Sequence, residues 1–233
     1  MRSLDIFPEA KRRTKSWESL NLYAQIAHKL GLYAIKSELE DLSLKYLETE
    51  AYNHIVHELK ESEKERMAFI EEFLKPIREL LDRDGLKYHI KSRTKSVYSI
   101  FQKMRKQKVS FKGVYDIFAL RIIIDCPVER EKALCWTVYS HVASLYTPNP
   151  ERMRDWISIP KSNGYESLHT TVSAGGGKWV EVQIRTERMD EVAERGIAAH
   201  WRYKGVKQGG MGAEEWLQRL REMLEDTTSE SIA

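Results

Sequence analysis

The sequence predicts an α+β protein, a helical N-terminal segment followed by a β-sheet flanked by helices. Three observations predict it. Apolar residues recur at three-to-four spacing through the first 84 residues, the period of an amphipathic helix. From Leu86 onward that period gives way to short β-rich runs alternating with helical ones. The chain has 233 residues, 42% of them hydrophobic, enough to bury a core without disulfides or a structural metal.

In chain order, helices are expected over 22–30 and 35–47, then as one long charged helix over about 52–81 that Pro76 kinks or restarts. Strands are expected over 87–91, 117–125, 156–159, 168–173 and 178–185, with helices over 96–106, 129–145 and 188–199. Ala174-Gly-Gly-Gly177 separates two strands as a hairpin turn. Three parts result: a helical segment 1–84, an α/β part 85–204, and a Gly-rich linker with a C-terminal helix over 205–233.

Composition narrows the function. No apolar run reaches the roughly 18 residues of a membrane span and the N-terminus has no signal pattern, so a cytoplasmic protein with no membrane partner is expected. Cys126 and Cys135 lack any CxxC or Cys/His spacing and read as free thiols. His54 and His57 lie at i, i+3 without a carboxylate motif and read as a solvated helix face. The net charge is only +3, but between Gly85 and Tyr115 there are nine Lys and Arg residues and no acidic one. Such a field attracts polyanions. A solvated basic face is the plain alternative.

Three constellations carry chemistry. In the basic stretch Val97, Ile100, Phe101 and Met104 form a buried stripe, leaving Lys95, Ser99 and Lys103 on the opposite face at i, i+4 and i+8. Two ammonium groups around a hydroxyl, beside the outward N–H groups of a helix N-terminus, make a triphosphate cradle. Arg93 stands just upstream, with a planar guanidinium suited to stacking on a base. The second constellation is acidic. Alternation in Trp179-Val-Glu-Val-Gln-Ile-Arg185 puts Glu181, Gln183 and Arg185 on one strand face, and Asp116 opens the run that ends at Asp125. If those strands are neighbours, Asp116 and Glu181 can hold one Mg²⁺, with Mn²⁺ as the substitute. The alternative is an exposed strand face with ordinary polar residues. The third is the Pro/Gly-shaped loop Ile159-Pro-Lys-Ser-Asn-Gly-Tyr-Glu-Ser-Leu-His-Thr171, which gathers Lys161, Asn163, Tyr165 and His169 as nucleotide contacts.

These segments, in this order, resemble the synthetase domain of the RelA/SpoT homologue family, which makes the stringent-response nucleotides (p)ppGpp. Arg93-Thr-Lys-Ser-Val-Tyr-Ser-Ile is similar to its ATP-phosphate motif, Tyr115-Asp-Ile-Phe-Ala-Leu-Arg to its metal motif, and Lys161-Ser-Asn-Gly-Tyr-Glu-Ser-Leu-His-Thr to its guanosine loop. Val180-Glu-Val-Gln-Ile-Arg-Thr and Ala198-Ala-His-Trp complete the series. The resemblance implies a nucleotidyltransferase-like mixed sheet and a GTP/GDP pyrophosphokinase that moves the β,γ-pyrophosphoryl group of ATP to a guanosine 3′-hydroxyl and releases AMP. It implies that Arg93 stacks on adenine and that Lys95, Ser99, Lys103 and Arg121 hold the ATP phosphates. Asp116 would bind Mg²⁺, and Glu181 would share the metal or act as general base. Tyr165 would stack on guanine among Lys161, Asn163 and His169, with Gln183 in support.

Two departures stand out: Ser92 and Thr94 replace the Gly and Pro that usually flank the first Arg of the ATP motif, and Arg152-Met-Arg-Asp155 carries Arg154 where the acceptor-preference signature of long members has Lys. Tyr23-Ala-Gln-Ile-Ala-His-Lys-Leu-Gly and Glu38-Leu-Glu-Asp-Leu resemble the closing helices of the long members' hydrolase domain, whose metal-binding His-Asp pair does not occur in this sequence. A fragment of a longer protein is therefore expected, with any ribosome or tRNA contact made by regions absent from this chain. The rival readings are another nucleotidyltransferase-type enzyme and an RNA-binding module built on the basic stretch.

Overall fold

The computed structural model describes residues 1–114 and 116–195; Tyr115, the Ala198-Ala-His-Trp motif, the end of the expected 188–199 helix and the 205–233 segment lie outside the described residues. After a short turn, α1 (Glu9–Glu18) runs through a π-helical stretch at Ser19–Tyr23 into α2 (Ala24–Lys29). Then come α3 (Tyr33–Leu47), α4 (Thr49–Glu61) and α5 (Glu63–Arg83). The long charged helix expected over 52–81 is thus two helices. The break falls at Ser62, whose hydroxyl donates back to the Glu58 carbonyl at 2.6 Å while Arg66 donates to the Leu59 carbonyl at 2.8 Å. Pro76 lies inside α5, which continues through it for two more turns.

The remaining elements are β1 (Tyr88–Thr94), α6 (Val97–Gln107), β2 (Phe118–Ile124), α7 (Glu131–Leu145), β3 (Thr147–Pro148), β4 (Arg154–Asp155), β5 (Leu168–Ser173), β6 (Trp179–Thr186) and α8 (Glu187–Arg195). They form a mixed sheet in the order β1-β2-β6-β5-β3, with β4 pairing the other end of the β5 edge. The central pair, β2 and β6, is parallel, and the other pairs are antiparallel. The strand expected over 156–159 is absent. Asp155 accepts hydrogen bonds at Oδ1 from the Ile157 and Ser158 N–H groups (3.0 and 2.8 Å), closing an Asx turn that bends the chain off the sheet after β4. The apolar pattern there reflects Ile157 alone, which is buried as a single core residue.

One face of the sheet is the core. Leu120, Ile122 and Ile124 of β2, Val180, Val182 and Ile184 of β6, and Leu168 and Val172 of β5 pack on Ile70, Leu74 and Ile77 of α5 and on Cys135, Val138 and Val142 of α7. Full burial of one such side chain is worth about 1.5–3 kcal/mol, so this layer dominates the stability of the sheet. Between β5 and β6, Gly175, Gly176 and Gly177 all have positive φ (82°, 57° and 74°), which a side-chain-bearing residue adopts only with strain. The hairpin closes with Ala174 donating to Lys178 and Lys178 to Gly175. A smaller cluster joins α4 to α6: Ile55, Ile100 and Phe111 are buried, with Val97, Phe101 and Met104 against them, so the apolar stripe of α6 faces inward as its spacing predicts.

Candidate active site

The opposite face of the sheet is polar, and strand register decides which residues share it. Arg121 stands opposite Lys91 on β1 and opposite Gln183 on β6. Glu181 pairs with Ala119 and Thr171, Gln183 with His169, and Arg93 with Ala119. Cross-strand partners project to the same side. Arg93, Arg121, Glu181, Gln183, Arg185 and His169 therefore occupy one face by register alone.

Asp116 precedes β2, and the two carboxylates do converge. Lys95 Nζ donates to Asp116 Oδ2 at 3.0 Å and to Glu181 Oε2 at 2.6 Å, and Lys103 from the next-but-one turn of α6 donates to the same Asp116 oxygen. Arg152 approaches Asp116 at 4.0 Å from the rim. Burial opposes the charge on Glu181, but the Lys95 ammonium outweighs it and holds the carboxyl down at about 2. Asp116 is lowered for the same reason, with Lys95 and Lys103 overcoming desolvation. Burial likewise works against the Lys95 ammonium, yet Glu181 and Asp116 keep it above its ordinary value. Lys103 goes the other way, lowered by burial and by the neighbouring Lys95 charge. Two ionised oxygen donors from neighbouring segments, with no sulfur ligand beside them, form a donor set suited to Mg²⁺, which completes its shell with water and phosphate oxygens. Asp116 and Glu181 would hold it.

The N-terminus of α6 differs from expectation. Its Tyr98 and Ser99 N–H groups do not point outward unsatisfied. Ser96 caps the helix, accepting from the Ser99 N–H at 3.2 Å and donating to the Ser99 hydroxyl at 2.8 Å. The Tyr98 N–H is taken by Asp41 Oδ1 at 2.8 Å. The lysine side chains, rather than the helix end, are what this arrangement offers a triphosphate.

Gln183 links the rest. Its Nε2 donates to Glu181 Oε1 at 2.8 Å, and its Oε1 accepts from Arg121 Nε at 3.1 Å and Arg185 Nη2 at 2.7 Å. Arg121 also pairs with Glu194 of α8. Arg93 is half-buried, its charge disfavoured by desolvation and by Arg121, and its Nη2 donates to Ser37 at 3.4 Å.

The loop before β5 brings Asn163, Tyr165 and His169 together. Gly164, at φ 77°, turns the chain, and Asn163 Oδ1 accepts from the Tyr165 N–H at 3.1 Å. Tyr165 Oη lies 2.8 Å from His169 Nε2 and accepts from Arg185 Nη2 at 3.0 Å. Burial pushes His169 down to about 4, against the pull of Glu181, so it is neutral near pH 7. Lys161 Nζ sits 4.7 Å over the Trp156 ring. The Tyr165 ring is only 8% exposed: the Arg185 guanidinium lies 5.3 Å from its centroid, and Tyr33 of α3 meets it edge-on at 5.7 Å. A base stacking there requires local rearrangement. Arg154 is opposite His169 across the β4–β5 pair, but its guanidinium curls onto the Glu151 and Met153 carbonyls, and Asp155 is spent on its own turn.

The sequence placed Arg185 on the face of Glu181 and Gln183 but gave it no role; it is fully buried, holds Tyr165 and Gln183, and keeps a buried Nε with no hydrogen-bond partner. Its period-two position beside Glu181 and Gln183 was the available signal. Sequence reasoning passed over Asp190, which accepts from Lys91 at 2.8 Å and Arg185 at 3.4 Å, and over the α3 residues Tyr33, Ser37 and Asp41, whose partners are distant in sequence.

Comparison with known proteins places the sequence in a family. The model of a region found in RelA / SpoT proteins matches residues 92–208. A guanosine-3′,5′-bis(diphosphate) 3′-pyrophosphohydrolase of Aquifex aeolicus is 41% identical over 99% of the chain and 33% of its own length. A GTP pyrophosphokinase of Myxococcus xanthus is 40% identical over 97% of the chain and 30% of its own length, and the bifunctional (p)ppGpp synthase/hydrolase SpoT of Escherichia coli is 38% identical over 98% and 32%. The chain thus spans about a third of the length of these relatives. Among solved structures, small alarmone synthetase 1 of Bacillus subtilis bound to its product pppGpp is 26% identical, with a TM-score of 0.42 over 68% of this chain and 85% of that one. On its sequence matches, the chain belongs to the RelA/SpoT family.

Proposed function

We infer that the chain is a (p)ppGpp synthetase module, transferring the β,γ-pyrophosphoryl group of ATP to the 3′-hydroxyl of GDP or GTP. One observation carries the reading: a single ammonium, Lys95, is shared by carboxylates from two separate segments, beside Lys103, on the polar face of the sheet. Phosphate binding alone does not call for carboxylates. Phosphoryl-type transfer calls for both charges, cations for the transferring oxygens and carboxylates for a metal. Family relatives named as a GTP pyrophosphokinase and as a bifunctional synthase/hydrolase support the same substrates.

In this reading Lys95 and Lys103 exchange Asp116 and Glu181 for phosphate oxygens when ATP enters, and Arg121 follows from the floor of the sheet. Arg93 stacks on the adenine. The acceptor nucleotide lies toward Lys161, Asn163, Tyr165 and His169, with Gln183 fixing Glu181 between the two substrates. The 3′-hydroxyl oxygen forms a bond to the β-phosphorus, the bond from that phosphorus to the α-phosphate bridging oxygen breaks, and AMP leaves. Glu181 would receive the hydroxyl proton. Mg²⁺, when bound at Asp116 and Glu181, supplies charge neutralisation and alignment of the phosphates. The chain's own contribution is positioning.

Incubation with ATP, Mg²⁺ and either guanine nucleotide, followed by chromatography, tests the reading. It predicts AMP and a 3′-pyrophosphorylated guanosine nucleotide in equal amounts. Release of pyrophosphate would mark nucleotidyl transfer, and salt-sensitive RNA binding without turnover would mark the RNA-binding alternative.

A further inference from the structure

The family model begins at residue 92, so α3 lies outside it, yet α3 touches the start of α6, Arg93 and the loop before β5. Tyr33, Ser37 and Asp41 recur at every fourth position and stand on one face of the helix. Asp41 Oδ1 accepts from the Tyr98 N–H at the start of α6. Ser37 Oγ accepts from Arg93 at the end of β1. Tyr33 Oη accepts from Asn163 Nδ2 at 3.1 Å in the acceptor loop, and its ring abuts Tyr165. The turn leading into α3 comes equally close: a Cβ on Gly31, at φ +70°, would meet Asn163 Nδ2 at 3.1 Å.

These contacts have a physical logic. The first N–H groups of a helix have no partner within it and carry the positive end of its dipole. In α6 Ser96 satisfies one of them, and a carboxylate from a separate helix satisfies another. The direction of α6, and hence the aim of Ser99 and Lys103, is thereby tied to α3. The same helix holds Asn163 through Tyr33, so the phosphate lysines and the acceptor loop are set against one rigid rod.

We propose that α3 is a positioning brace for the transfer site, with Asp41 fixing the ATP-binding helix and Tyr33 fixing the acceptor loop. The segment containing Asp41 resembles the end of a hydrolase domain in sequence, but its contacts serve the neighbouring site. The proposal rests on the reading of α6 as an ATP-binding element, and its test separates the two.

Binding of a non-hydrolysable ATP analogue in the presence of Mg²⁺ is measured by calorimetry, alongside steady-state KM values and thermal unfolding. Losing the cap in Asp41→Ala is expected to weaken analogue binding and raise the ATP KM about fivefold, with the guanine-nucleotide KM unchanged. Asp41→Asn keeps one acceptor oxygen and should retain most of the affinity. Tyr33→Phe removes only the hydroxyl and should raise the guanine-nucleotide KM about threefold while sparing ATP. Wild-type binding in folded Asp41→Ala overturns the brace, as does tighter binding, which would make the carboxylate a competitor of the phosphates. Should Asp41→Ala unfold, Tyr33→Phe decides: a KM change that is absent, or equal for both substrates, overturns the proposal. A wild-type chain that fails to bind the analogue sinks the ATP reading and the brace with it.

Discussion

The two faces of the sheet are built from the same strands and obey opposite rules. On one, Leu120, Ile122, Val182 and Ile184 are fully buried against α5 and α7, and each is satisfied by contact alone. On the other, one residue away in each strand, Arg121, Glu181, Gln183 and Arg185 are held by one another: an amide bridges a carboxylate and two guanidinium groups. A buried charge without partners is costly, so the polar face is stable only as a network. Stability and the proposed chemistry are thus divided by a single step of strand alternation, and substitutions on the two faces should fail in different ways.

The sharpest contrast is expected from the centre of each face. Glu181→Gln, which keeps size and a hydrogen-bonding group, should cut product formation by at least about a hundredfold while the thermal midpoint changes little, because the loss falls on the transition state. Near-wild-type turnover would remove Glu181 from the chemistry. On the apolar face, Ile122→Ala should cost about 2–5 kcal/mol of stability in chemical denaturation, with the KM values of the remaining folded enzyme unchanged. A selective change in KM instead would mean that the two faces are coupled.

Smaller effects refine the comparison. Tyr165→Ala should weaken guanine-nucleotide binding by about 1–3 kcal/mol, seen as a raised acceptor KM with ATP binding intact. An unchanged acceptor KM would leave Tyr165 as a buried prop beneath Tyr33. The smallest effect concerns pH. His169 is pushed down to about 4 by burial, so between that value and its ordinary 6.5 the unfolded chain binds a proton that the folded chain does not. Stability should therefore fall as pH is lowered from 6.5 toward 4, before the loss contributed by Glu181, which comes lower still because its carboxyl sits at about 2. Thermal unfolding of wild type beside His169→Gln across that range should show a shallower fall in the variant, and identical slopes would contradict the burial account.

Which parts were legible in the sequence follows from how local their causes are. Alternation in β6 placed Glu181 and Gln183 opposite the valines, and the α6 stripe placed Lys95 and Lys103 on one side, because both patterns repeat within a few residues. The convergence of Asp116 with Glu181 needed β2 and β6 to be neighbours, a condition that the sequence left open and the strand register meets. Trp156–Ile159 misled because the Asx turn is set by the single residue Asp155, while Trp156, Ile157 and Ile159 have strand-like composition. The filled N-terminus of α6 was unreadable: its partner, Asp41, is 57 residues upstream of Tyr98. The cover over Tyr165 was hidden for the same reason, with Asn163 and Tyr33 130 residues apart. Helix-to-site contacts of this length leave no periodic trace.

Whether the two carboxylates form one transfer centre with Lys95 and Lys103 is decided at Asp116. Wild type and Asp116→Asn are compared at matched stability for Mg²⁺-dependent movement of label from the γ-phosphate of ATP into a guanosine nucleotide. The account predicts steady label transfer in the wild type and almost none in the variant. Equal transfer by both would contradict it.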